Sequence, residues 1–485
     1  MNFNEECLNE GEKKTKLFNP ILLFQSTNNN INLRNNYIYV TKERNNKNPL
    51  PIGVKSDFYT LENTTFPKFL IDYAKIKIPR GVRRILERQI PKALLDKINP
   101  NRKKAIELCL LVVSYLNQSL YNDKWISLNA KKLHELTKTS KDNTWVYNHI
   151  LDVLKYSSEK VKPIIEVKKN AENKETFRKN YNSKQFKLNA CFYGKKFETY
   201  TIQSKPILVV KKQEHLKKLN EAMQNIIGKN LIMLCGRLTL PNEKQIIEYA
   251  RRKIKENYRT KKGKVLTFLN KRKRENVKDY KNKSFVEMGI TKFHLLVDDG
   301  FKIPTPSFKK AGGRVYDSLN TMNGWIRELI KIDGEETTEK DFKALHPNLV
   351  THIYGGNTKY ITHEKIAEVL NVEVSIVKKE HLSFFNQHPK QMEKSIVYQY
   401  YKENEPEMLE RIISDKYNNG HEITSRRLFE LEVKIMSEII KQLNKKDIVV
   451  GYTFDALFCK KSVGDYVEKV MNEVAIKNNV FTVAK

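Results

Sequence analysis

The sequence predicts an α+β fold, with a basic, mainly helical N-terminal region and a C-terminal part in which strands and helices mix. Three observations carry this expectation. From about residue 100 to residue 260, apolar residues recur at helical spacing in one segment after another. Short apolar or alternating runs, KPIIEVKK, SKQFKLNACF, TTEKDF and IVVGYTFDALFCKK, read as strands. A hydrophobic fraction of 40% with 22 Phe and 23 Tyr in 485 residues is enough for packed interiors, in roughly two to four domains.

Residues 1–60 are rich in Asn and Lys (STNNNINLRNNYIYVTKERNNKNPLPIG) and read as an extended arm. A DNA-binding region is expected over 61–210. Within it, RKKAIELCLLVVSYLNQ is a strongly apolar helix. AKKLHELTK and TWVYNHILDVLKY are two further helices across the polar turn KTSKDN, with Leu133, Leu136, Val146, Ile150, Leu151 and Leu154 at helical spacing. The two β-like runs that follow complete the order of a winged helix over 100–205. Its second helix would enter a major groove while the Lys-rich wing touches backbone; an ordinary basic helical domain fits the same pattern. Residues 211–300 read as a helical, basic region. There, 261–283 holds ten Lys or Arg. Among them Lys271, Arg272, Lys273 and Arg274 are expected to grip phosphate backbone, where the plainer reading is a solvated face.

Lys+Arg of 89 against Asp+Glu of 56 leaves a net charge of +33. This balance implies a polyanionic partner, because basic side chains that neutralise phosphates release condensed counterions. AT-rich coding DNA also yields Lys- and Asn-rich chains. No run approaches about eighteen consecutive apolar residues, so no membrane partner is expected, and MNFNEECLNEGEKKTK lacks an apolar signal core. Cys7, Cys109, Cys191, Cys235 and Cys459 are scattered without a CxxC pair. That argues against a zinc ribbon or a disulfide framework and for a reducing, cytoplasmic setting. Neither GxxxxGK(S/T) nor GxGxxG occurs, so P-loop and dinucleotide readings lack support.

The residues that carry chemistry lie in 301–485. Asp341 closes the strand-like TTEKDF just before a helix with Leu345, Leu349 and Ile353 four residues apart, ending at Gly355-Gly356. A strand end holds its side chain in a fixed direction, as a metal ligand requires, although an Asp in this place serves equally as a helix cap. Asp455 sits in an alternating, hairpin-like stretch. Ile448, Val450, Tyr452, Phe454 and Phe458 are apolar, whereas Gly451, Thr453 and Asp455 are small or acidic. The expectation is one buried face, with Asp455 on the other. Strands disfavour Asp, so function explains it better than structure. Two carboxylates held this way suit two-metal phosphoryl transfer.

Before them lie AGGRVYD, with Gly312, Gly313 and Arg314, and GWIRELIKIDG, with Arg327. Taken in order, GGR…R…DFxxLHPxLxxHxYG…FDAL resembles the polymerase domain of family A DNA polymerases and single-subunit phage RNA polymerases. The likeness spans roughly 306–485 and is nearest to a compact type found in phages, plasmids and mobile elements. It implies a right-hand palm-type polymerase domain, with 301–485 as palm and reduced fingers and 211–300 as a thumb-like region. The fingers must be reduced because only 114 residues separate the two aspartates (455 minus 341).

The resemblance implies Asp341 and Asp455 as catalytic metal ligands and Arg314 and Arg327 as nucleic-acid contacts. His346 falls where family A DNA polymerases have the Glu that blocks the ribose 2′-hydroxyl, which leaves dNTP against NTP open. Phe454 replaces the usual His of the second motif. The family grips the triphosphate with cations along one helical face. VKKEHLSFFN offers Lys378, Lys379, Phe385 and Asn386; HPKQMEKSIVYQYY offers Lys390, Lys394 and Tyr398 at four-residue steps. In TSRRLFELEVKIMSEIIKQL, Arg426 and Arg427 are expected on nucleic-acid backbone and Glu432 toward the site. Leu428, Leu431, Ile435 and Ile439 form its core stripe.

The expected activity is that of a DNA-dependent DNA polymerase, a nucleotidyltransferase in replication of a phage, plasmid or mobile element. Its partners would be DNA template and primer (or RNA) and nucleoside triphosphates, with two Mg²⁺ ions, or Mn²⁺ in their place, in the cytoplasm of a bacterial or phage-infected cell. The alternatives are a primase or DNA-dependent RNA polymerase using the same aspartates, and a non-catalytic replication initiator binding DNA through a winged helix.

Overall fold

The computed structural model describes residues 68–122, 124–130, 133–134, 146–175, 183–260, 263–269 and 282–485. All but Lys68 belong to one unit, Phe69–Lys485. The expected arm over 1–60, the turn between the two helices of the winged-helix reading, and the block Lys271, Arg272, Lys273 and Arg274 lie outside the described residues. The remainder is a mixed α+β fold of many helices and small sheets.

The N-terminal part begins with strand β1 (Lys75–Pro79) and helix α1 (Arg102–Tyr115). Helix α1 is apolar on nearly every side and is buried from Ala105 through Val113. The single charge in that run, Glu107, is satisfied: it accepts from the Tyr200 hydroxyl at 2.9 Å and from the Gln203 and Ser204 N–H groups at 2.6 and 3.0 Å. Next come β2 (Ile126–Ser127), α2 (Val146–Lys155), β3 (Ile165–Val167) and β4 (Gln185–Leu188). Strand β4 pairs antiparallel with both others, giving the order β2-β4-β3. Ile150 and Leu154 of α2 share one core with Phe186, Leu188 and the apolar residues of α1. Strand β5 (Phe197–Thr201) returns to pair antiparallel with β1.

The helical, basic region expected over 211–300 starts in two helices that meet at a sharp junction, α3 (Lys205–Gln224) and α4 (Ile226–Cys235). Asn225 breaks them apart and caps α4, accepting from the Gly228 N–H at 2.9 Å. A Cβ on Gly228 would come within 2.5 Å of the Ala222 carbonyl oxygen, so glycine permits the sharp junction.

The C-terminal part opens with the antiparallel pair β6 (Thr305–Ser307) and β7 (Arg314–Tyr316). Strand β8 (Thr337–Asp341) leads into α5 (Leu345–Tyr354). Five helices follow, α6 (His363–Leu370), α7 (Val374–Phe384), the short Pro389–Met392, α8 (Ile396–Asn404) and α9 (Pro406–Asn419). The long α10 (Ile423–Asn444) then runs back to the hairpin β9 (Gly451–Tyr452) and β10 (Ala456–Lys460), and α11 (Gly464–Lys477) comes last. Leu428, Ile435 and Ile439 of α10 are buried as expected, while Leu431 is half-buried. Among the described residues no helix is long and apolar enough to cross a membrane.

Strands β8, β9 and β10 form one antiparallel sheet in the order β8-β10-β9, with Asp341 opposite Ala456 and Gly451 opposite Phe458. Two expectations need correction here. Strand β10 is not buried on one face only: as the middle strand, packed against α11, it is buried at every position from Ala456 to Cys459. Asp455 stands not in mid-strand but in the turn, where the Thr453 N–H donates to the Ala456 carbonyl at 2.9 Å. The stretch HPKQMEKSIVYQYY is likewise interrupted: Pro389–Met392 is a separate short helix, so Lys390, Lys394 and Tyr398 do not share one helical face.

Helix α4 fixes the hairpin through a buried amide. Asn230 Nδ2 donates to the Val450 carbonyl at 2.6 Å, and its Oδ1 accepts from the Val450 N–H at 3.2 Å. Replacing it (Asn230→Leu) orphans both main-chain groups. The expected loss is about 1–3 kcal/mol for each, read as a lower urea midpoint at unchanged slope.

Candidate active site

Both aspartates are held by main-chain pairing. The Phe342 N–H donates to the Asp455 carbonyl at 3.2 Å, which joins the end of β8 to the hairpin turn. On its other edge Asp341 exchanges hydrogen bonds with Lys485, N–H to carbonyl at 3.1 Å and the reverse at 3.2 Å. Each aspartate also has a left-handed residue close by: Ala344 (φ 47°) before α5 and Phe454 (φ 71°) directly before Asp455. L side chains adopt this conformation at a cost, and such strain collects at functional sites. Asn348 steadies the first of these turns, its buried Nδ2 donating to the Ala344 and Ile361 carbonyls at 2.8 Å each.

Beside the pair lies a buried ionic cluster. Glu432, on α10, has a fully buried side chain. Arg314 Nε donates to its Oε1 at 2.7 Å and Arg314 Nη2 to its Oε2 at 2.5 Å. His346 Nε2 lies 2.9 Å from the same Oε2. A carboxylate only accepts, so Nε2 carries a proton there. Burial alone would raise the Glu432 carboxyl, but the hydrogen bonds from His346 and Arg314 hold it below its ordinary value. The Arg314 guanidinium is also sandwiched between rings, 3.7 Å from the centre of Phe429 and 4.8 Å from that of Phe454. Phe454 thus ties the turn to Arg314.

Close approach makes this cluster possible. Gly312 adopts φ 55° against α10, and a Cβ there would meet the Glu430 nitrogen at 2.6 Å. Glycine lets β7 approach the helix closely enough for Arg314 to reach Glu432.

Asp455 is half-buried. Its carboxyl is pushed up to about 7, first by burial and then by the neighbouring charges of Asp341 and Glu432, with His346 acting in the opposite direction. The Tyr452 hydroxyl is buried without a hydrogen-bond partner among the described residues, and burial, then Glu432, hold it protonated. Among the described residues no group of three or more His, Cys, Asp or Glu side chains forms a ready metal cage. Two carboxylates, one of which raises the charging cost of the other, are nonetheless the donor set Mg²⁺ takes when substrate phosphates complete its shell.

The structure therefore brings Asp341, Asp455, Arg314, His346 and Glu432 together. It does not do so for every expected residue. Arg327 is 8% exposed and turned inward, its Nη2 donating to Glu339 at 2.7 Å and its Nη1 to the Leu319 carbonyl at 3.3 Å, which leaves it no face for nucleic acid. Phe385 is 3% exposed in an aromatic core with His381, Phe384 and Tyr401, so it offers no ring to a nucleotide. Lys378 and Lys379 are exposed on α7, Lys378 lying 3.6 Å from Glu364; Asn386 and Lys394 are exposed as well. Arg426 and Arg427 are exposed at the start of α10, paired with Glu430 at 3.4 Å and Asp415 at 2.9 Å.

Phe429 and Tyr452 were missed. Only the three-residue step from Phe429 to Glu432 along α10 signalled a shared face; Tyr452 read as core.

The raised Asp455 carboxyl carries a signed pH dependence. Its folded value lies above the unfolded value, so the stability it contributes is whole below 3.8 and is lost as pH rises through about 7. In EDTA, Asp455→Asn is expected to melt a few degrees above the parent near pH 8 and level with it near pH 4. A difference independent of pH would contradict the pairing of the two carboxyls.

No protein-family model matches this chain, and no curated protein does either, so the functional reading rests on the geometry of the site.

Proposed function

We propose that this chain is a template-directed nucleic-acid polymerase of palm type, a nucleotidyltransferase that extends a primer, with DNA as the first expected template and product. The observation that carries the reading is the pair Asp341, at the end of β8, and Asp455, in the adjoining hairpin turn, brought together from distant parts of the sequence. Asp455 gains from a cation because burial and Asp341 both oppose its charge. Mg²⁺ held between the two carboxylates would supply the acidity that deprotonates a primer 3′-hydroxyl and the charge that neutralises the triphosphate.

The remaining steps belong to the chain itself. Asp341 and Asp455 would hold the cation that positions the reacting phosphate. Arg314, anchored by Glu432, keeps a buried positive charge beside them. His346, held through Nε2, faces the incoming sugar. Lys378 and Lys379 on the exposed face of α7 supply charge to the triphosphate. The order β2-β4-β3 with α1 and α2 supports a winged helix for DNA binding in the N-terminal part. A cytoplasmic role in replication of a phage, plasmid or mobile element follows from the same reading.

With a primed template, Mg²⁺ and labelled nucleotides the parent is expected to extend the primer. Asp341→Asn and Asp455→Asn should each cut extension by about a hundredfold or more. Undiminished extension in either variant removes the assignment. Synthesis without a primer turns the reading to a primase, and sequence-specific DNA shifts with no synthesis turn it to an initiator. His346→Ala is expected to alter the ratio of dNTP to NTP kcat/KM while keeping measurable extension; an unchanged ratio separates His346 from sugar choice.

A further inference from the structure

A cleft of about 830 Å³ extends from β1 and α3 to the tip of the β9–β10 hairpin. Its walls carry Lys75, Lys124, Lys211, Lys218 and Lys302, contributed by segments far apart in the chain, which outnumber the carboxylates Asp72, Glu214 and Asp317 of the same lining. Groups inside it register the resulting field. Lys302 is held below its ordinary value by burial, then by Lys77 and Lys218. His215 is lowered to about 4 by burial, then by Lys218. A cleft with this field and low-dielectric walls concentrates anions.

Its other lining is aromatic. Tyr73 and Tyr121 lie on the walls, and Tyr316 and Phe454 close the end nearest Asp455. Tyr316 is 42% exposed, and its ring meets Phe454 edge-on with centroids 5.5 Å apart.

Lysines for phosphates and an exposed ring for stacking, Tyr316, are what a single strand requires. A duplex would present its backbone and keep its base edges paired.

We propose that this cleft binds single-stranded nucleic acid with its bases inward and leads the strand to the Asp455 turn. Only the destination rests on the polymerase reading; the binding itself does not. The test uses the full chain without metal or nucleotides. Fluorescence anisotropy follows a labelled mixed-sequence single strand and the same sequence as a duplex. Lys211→Glu with Lys218→Glu is expected to weaken single-strand binding by about tenfold or more and to flatten its salt dependence. Tyr316→Ala should weaken it by about tenfold while Tyr316→Phe retains it. The duplex should be bound as before by all of these. Lys441→Glu with Lys445→Glu, at the far end of α10, is the charge-matched control and should change little.

Thermal melting of each variant confirms that it folds. Unchanged single-strand binding, equal losses in cleft and control variants, or equal losses for single strand and duplex would each overturn the proposal. If the parent binds single strands through the cleft and never extends a primer, the polymerase reading fails and this one stands.

Discussion

A carboxylate removed from water has to be paid for, and Glu432 is removed entirely. Burying such a charge costs several kcal/mol unless donors meet it. Here they are Arg314 from β7 and His346 from α5, both converging on α10. Three elements are thereby locked around one oxygen pair. Arg314 lies between the rings of Phe429 and Phe454, and Phe454 precedes Asp455 in a left-handed turn. The position of Asp455 therefore depends on an ion pair that does not itself touch the hairpin's main chain. Arg314 could not make this pair unless position 312 lacked a Cβ.

The charge balance explains why the arrangement suits a cation. Glu432 takes up both Arg314 and His346. Asp341 and Glu432 raise the Asp455 carboxyl further than burial alone does. A protein of net charge +33 thus keeps a small acidic centre. Polyanions are drawn toward the chain by its overall charge, while divalent cations have a reason to settle at one place within it.

Much of this could be read in the sequence because the relevant signals are local. The strand ending at Asp341, the helix after it, the hairpin around Asp455 and the core stripe of α10 all follow from periodicity within a dozen residues. What escaped depends on partners elsewhere. Arginines in helical stretches read as surface residues, and nothing near Arg327 announces that Glu339 waits on β8. Period-two alternation describes one strand and not its neighbours, so it could not reveal that β10 would be the middle strand. Phe385 offered an aromatic at the expected place but carried no sign that His381 and Tyr401 would enclose it. Short breaks also escaped, because Asn225 and Pro389 act through one capping or helix-starting position.

The register that unites the site joins Asp341 to Ala456, 115 positions apart (456 minus 341), while what lies between is almost wholly helical. Helices form from near neighbours in microseconds, whereas a pairing across so long a loop must first overcome its closure entropy. During refolding the intervening helices would be in place well before the sheet closes. The meeting of Asp341 with the Asp455 turn would then be the last feature acquired, and the first surrendered when this sheet opens.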